Sequence, residues 1–146
     1  MAETTTIIAI LSFLVMLFFM ASREGTQDSI SRLANRFRWI LLVAFWSQSL
    51  LLPQMMNMTP DQWRWLPFLG IFAIIVCGGA SVVDKDDNTI HMICAIMAFI
   101  CLSVWVAIMN AWCLIPLIVC VAAGKDKLIW RAETGLISSV YMLMLL

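Results

Sequence analysis

Charge is what this sequence has least of. Only 12% of its 146 residues are Asp, Glu, Lys or Arg, about half the share in an ordinary soluble domain. Nine basic residues balance nine acidic ones. With no basic excess to neutralise phosphates, a general nucleic-acid binder is excluded. Histidine is reduced to a single residue, His91. His91, Cys94 and Cys101 share a helix face by spacing but supply at most three ligands, where zinc wants four. The five cysteines, Cys77, Cys94, Cys101, Cys113 and Cys120, all lie in apolar runs and none forms a CxxC pair. They read as small hydrophobes. Eleven methionines could serve soft copper, but methionine is a common apolar filler, so no metal and no cofactor is expected. The run from Asp84 to Asn88 starts like a calcium loop but has Thr89 where glycine belongs and Ala95 where glutamate belongs.

What fills the chain instead is hydrocarbon: 63% hydrophobic residues and a mean hydropathy of +0.97. A helix needs about 20 apolar residues to cross a bilayer. Runs at 5–22, 38–56 and 66–83 meet that length closely. The stretch 89–123 carries no charge at all and would make one helix of roughly 50 Å, too long for a single crossing. A reversal near Asn110 divides it into spans of 89–109 and 112–123. A last run, 128–146, follows the polar Gly124-Lys125-Asp126-Lys127. The expectation is an all-α, polytopic transmembrane helical bundle of six helices forming a single domain over 1–146, with five helices plus a re-entrant segment as the alternative. The first run lacks a basic leader, and Phe19 is too large for a signal cleavage site, so this run is expected to remain as a span.

Basic residues orient membrane proteins. Arg23, Arg32, Arg36, Arg38, Lys85, Lys125, Lys127 and Arg131 fall on one predicted side and only Arg64 on the other. That bias places the odd-numbered connections in the cytoplasm and both termini outside. The expected setting is the bacterial inner membrane. Trp39, Trp63, Trp65, Trp112 and Trp130 fall at predicted helix ends, where interfacial indoles are favoured. Trp46 and Trp105 fall deeper and should pack inside. In the first connection, Ile30, Leu33, Ala34 and Phe37 recur at helical spacing, with Asp28 or Ser29 as N-cap. This predicts a short interfacial helix whose arginines, Arg36 and Arg38 among them, reach toward lipid headgroups.

Three groups of residues are candidates for function. Asp84 closes the third span, and Asp87 and His91 lie four apart on the first turn of the fourth. A carboxylate there can orient an imidazole for acid–base work, and it can equally cap the helix. Gln48 sits near the middle of the second span, where its expected work is an interhelical hydrogen bond. Arg131 and Glu133 begin the sixth span, within a turn of its edge. Ala73, Cys77 and Ser81, recurring every four residues beside Gly78 and Gly79, suit close helix packing.

The pattern of Asp84 closing the third span, His91 opening the fourth, Ala95 and Phe99 following at four-residue steps, and Ile30-Ser31-Arg32-Leu33 in the first connection resembles a family of six-helix membrane proteins of unknown function. That family is related in layout to the DRAM/Sfk group and, more distantly, to the membrane-hydrolase superfamily that contains alkaline ceramidases. The resemblance implies a six-helix bundle with a polar His/Asp rim. The superfamily's metal site would need several histidines plus Asp and Ser, and this chain has one histidine.

Three functions are compatible with these features. The first is a non-enzymatic protein that binds a lipid or amphiphile or serves as an accessory subunit, with membrane lipids and a homo-oligomer or larger membrane complex as partners. The second is a lipid-modifying enzyme using His91 and Asp87. The third is a transporter or channel subunit lined by Gln48 and Glu133.

Overall fold

The computed structural model describes residues 4–25, 30, 34–83 and 89–146, without the side chains of 24, 34–36 and 81–83. The described residues are all-α, with no strand among them. Helix α1 spans Thr4–Glu24. Helices α2 (Ala34–Ser47) and α3 (Leu52–Met58) are joined by a 3-10 turn at Gln48–Leu51. Helix α4 spans Trp65–Val83 and α5 spans Thr89–Asn110. A second 3-10 turn, Ala111–Leu114, leads into α6 (Ile115–Ala122), and α7 spans Leu128–Leu145. Pro53 and Pro116 explain both turns. Each sits at the second position of its helix, where its missing N–H breaks the incoming ladder and its fixed φ starts a new one.

Among the described residues four stretches are long and apolar enough to cross a membrane: Thr4–Arg23, Phe37–Met58, Asp61–Ala80 and Thr89–Ala122. The last is interrupted at Asn110. Its backbone is extended (φ −162°, ψ 101°), and its side-chain oxygen accepts the Trp112 N–H at 3.2 Å. The helix therefore stops where the length argument expects it to stop.

Hydrogen bonds bring the ends of several helices together. Thr6 of α1 donates to Gln54 Oε1, and Gln54 Nε2 donates to the Met144 carbonyl at 3.1 Å. Both ends of the described chain therefore lie at one end of the bundle. Trp105 Nε1 reaches Thr59 Oγ1 at 2.7 Å, which brings the last turns of α5 to that same end. Met20, Ile30, Leu41 and Trp130 cluster at the opposite end. Between Asn110 and Leu128 the chain consequently returns toward the opposite end, and α6 forms part of that return, packed antiparallel on α7. The contact is close because Gly135 carries no side chain. A Cβ there would lie 2.9 Å from the Leu117 Cα and 3.2 Å from the Pro116 carbonyl oxygen. Ser139 Oγ accepts the Leu117 N–H at 3.2 Å, satisfying one of the unpaired donors at the start of α6.

The core runs through the middle. Phe13 stacks on Phe45 and meets Tyr141 edge-on, with centroids 6.5 and 6.3 Å apart. Trp105, Val106 and Cys113 are fully buried beside them. Helices α4 and α5 pack through the small residues Ala73, Cys77, Cys94 and Ala98, as the four-residue spacing of the first two anticipates. Outside, Val15, Phe18, Phe72, Ile93 and Ile118 are exposed. Apolar exposure of this extent on so many helices is what a water-soluble monomer avoids.

The tryptophans divide differently from expectation. Trp39, Trp65 and Trp112 are exposed and Trp105 is buried, in line with their positions. Trp46, expected inside, is half exposed, its indole lying along α4 and donating to the Ile75 carbonyl at 3.3 Å. Trp130, expected at an interface, is buried in a cluster with Met20, Ile30 and Leu41. In the first connection the described helix begins only at Ala34 and is kinked at Phe37 (φ −116°, ψ 36°). The expected cap at Asp28 or Ser29 lies outside the described residues.

Candidate functional site

A cavity of about 110 Å³ lies between α1, α2, α4, α5 and α7. Roughly 10–15 Å³ suffices for one water on this measure, so the space admits a short aliphatic or aryl segment but not a whole diacyl lipid. Its wall is almost entirely apolar, with Phe13, Phe45 and Phe99 providing much of it. Three polar side chains interrupt that wall: Gln48, Tyr141 and Glu133.

Gln48 comes from the 3-10 turn that Pro53 enforces. This turn directs it inward, 5% exposed, instead of along the outer face of α2. Its Oε1 accepts the Tyr141 hydroxyl at 2.7 Å, and its Nε2 donates to Ser47 Oγ at 3.3 Å. Gln48 thus makes the interhelical bond expected of it, and the partner is the only tyrosine of the chain. Met55, Leu66 and Trp105 are buried in the same core but are not part of the cavity wall.

Glu133 is the notable member. Sequence position placed it within a turn of the helix edge, able to reach water. The structure turns it into the cavity wall, half buried. Its Oε2 accepts the Ile30 backbone N–H at 2.6 Å. Ile30, which precedes α2 in the chain, is itself buried. Among the described residues no cation lies within ion-pair distance of Glu133.

Arg131, two residues earlier, faces another direction, because positions two apart do not share a helix face. Its guanidinium packs on Gly124, where an added Cβ would lie 2.8 Å from Nη1. That nitrogen is buried without a hydrogen-bond partner among the described residues. Arg38 is half buried and is not part of the cavity wall. The Arg36 side chain lies outside the description.

His91 sits in the first turn of α5 and is 8% exposed. Its Nδ1 is 3.2 Å from both the Cys77 carbonyl oxygen and Cys77 Sγ. A protonated Nδ1 donates to the carbonyl, and the thiol then has the His91 carbonyl at 3.8 Å as acceptor. The imidazole therefore ties the first turn of α5 to the later turns of α4. Asp84 and Asp87, the expected partners of His91, lie outside the described residues. No group of three or more His, Cys, Asp or Glu side chains suited to a metal occurs among the described residues.

The structure thus places Gln48 and Glu133, distant in the chain and named together in the third reading of the sequence, in the wall of one cavity. It adds Tyr141, which composition alone did not single out. A lone tyrosine deep in an apolar helix has to find an acceptor for its hydroxyl, and that was the available signal. Comparison of the chain with protein-family models, with curated proteins and with solved structures yields no match.

Proposed function

We propose that this chain is an integral membrane protein of six crossings, with both termini outside, that holds the apolar part of a small amphiphile in its central cavity. It acts as a binding protein or as the accessory subunit of a membrane complex. The observation that carries the reading is the cavity itself: an apolar chamber among exposed-apolar helices, interrupted only by Gln48, Tyr141 and Glu133. Small-molecule sites are typically concave and mostly apolar, with a few polar groups that orient the ligand.

Four sufficiently long apolar stretches support membrane insertion, and the break at Asn110 supports counting the fourth twice. The last helix, α7, carries Arg131 and Glu133 near its start and completes an even number of crossings, in keeping with Thr6 and Met144 meeting at one end. The excess of Lys and Arg at the opposite end supports a cytoplasmic position for that end. Kinship with the six-helix family of the DRAM/Sfk layout belongs to the same proposal.

The test uses the purified full chain and native mass spectrometry with a series of single-chain amphiphiles. Ala95→Phe fills the cavity from α5 and is expected to abolish saturable adducts, whereas Ile93→Trp on the exposed face of α5 leaves them intact. Adducts that survive Ala95→Phe unchanged would remove the cavity from the account.

A further inference from the structure

The cavity wall contains one group that an apolar ligand does not need. A carboxylate lining hydrocarbon is expensive to keep there unless it is paired and hydrogen-bonded. Glu133 has only half of that: the Ile30 N–H on Oε2 and, among the described residues, no cation. A role confined to anchoring Ile30 would require a single acceptor oxygen, which glutamine supplies equally well. The negative charge and the second oxygen are left over, on a residue that lines the cavity.

The other walls suit hydrocarbon: Phe13, Phe45 and Phe99 line the same space, with Tyr141 at the Gln48 end. The nearest basic residue in sequence, Arg131, is directed to Gly124 and does not compete for the site. We propose that the occupant is an organic cation, an alkylamine or alkylammonium. Its charge sits at Glu133 and its hydrocarbon tail lies toward Gln48 and Leu51. This rests on the cavity being the binding site and assigns the ligand's chemical class. In the free protein Glu133 keeps the Ile30 bond, and the ligand supplies the missing counter-charge without displacing it.

The experiment is radioligand binding of n-decyltrimethylammonium to the full chain in phosphatidylcholine nanodiscs, with empty nanodiscs subtracted. Unlabelled n-decyltrimethylammonium, n-decyl maltoside and n-decyl sulfate compete. The wild-type chain is expected to prefer the cation over the sulfate at least tenfold. Glu133→Gln, which retains an acceptor for Ile30, is expected to lose that preference, and Glu133→Asp to keep most of it. If Glu133→Gln does not fold, the wild-type ranking and Glu133→Asp decide. Equal competition by all three amphiphiles, with saturable binding, overturns the charge assignment and leaves the cavity reading standing. Absence of saturable binding by any of them overturns both.

Discussion

The same substitution at two glycines isolates the α6–α7 contact. Gly135→Ala places a methyl 2.9 Å from the Leu117 Cα and 2.9 Å from the Cys120 Cβ. Ordinary contact begins near 3.4 Å, so the two helices must separate by about half an ångström. The obstructing atom at Leu117 is backbone and cannot rotate away. Gly79→Ala, in α4, meets nothing within 4 Å. Both substitutions gain about 1 kcal/mol of helix propensity, so their difference reports the clash alone, about 1–3 kcal/mol for overpacking. Thermal unfolding followed by tryptophan fluorescence in a mild detergent is the assay. At roughly 2–4 °C per kcal/mol for a chain of this size, Gly135→Ala should melt several degrees below Gly79→Ala. Equal melting temperatures would refute the antiparallel packing of α6 on α7, and with it the return of the chain between Asn110 and Leu128.

Two further predictions concern hydrogen bonds. Tyr141→Phe leaves Gln48 Oε1 buried without its donor, and Gln48→Leu strands the tyrosine hydroxyl; each should destabilise by about 1–3 kcal/mol. The double variant should recover part of the loss, with a coupling of about 0.6–1.7 kcal/mol in a double-mutant cycle, and zero coupling would contradict the bond. Asn110→Ala removes the acceptor for the Trp112 N–H and should cost about 0.5–2 kcal/mol, as loss of a helix cap does. A thermal shift within error would show that the break does not depend on that side chain.

Much of the architecture follows from one-dimensional facts. Length alone requires the uncharged stretch 89–123 to be interrupted, and Asn110 is the polar residue in its middle that can accept a backbone N–H in an extended conformation. Small residues four apart on α4 anticipate its contact with α5. The site was far less legible. Gln48 and Tyr141 are separated by 93 positions, and nothing local indicates that the 3-10 turn before Pro53 aims Gln48 inward. Glu133 lies within a turn of the edge of a helix, a position from which charges usually reach water. Its bond from Ile30, 103 positions away, and its place in the cavity wall are not readable from that position. Trp46 and Trp130 show the same limit, since depth along a helix is readable but the side of the helix that meets a neighbour depends on the whole bundle. The Asp84 and Asp87 rim lies outside the described residues, while its His91 is engaged with Cys77 on α4.

The most direct test of the cavity as a binding site is photolabelling. A single-chain amphiphile bearing a diazirine near the end of its tail is irradiated with the full chain in nanodiscs, and the labelled residues are mapped by peptide mass spectrometry. Saturable label on Ala98, Phe99, Leu136 and Val140, all lining the cavity, is the predicted result. Label confined to outward residues such as Ile8, Phe18 and Ile118, which are exposed on the bundle surface, would contradict the account.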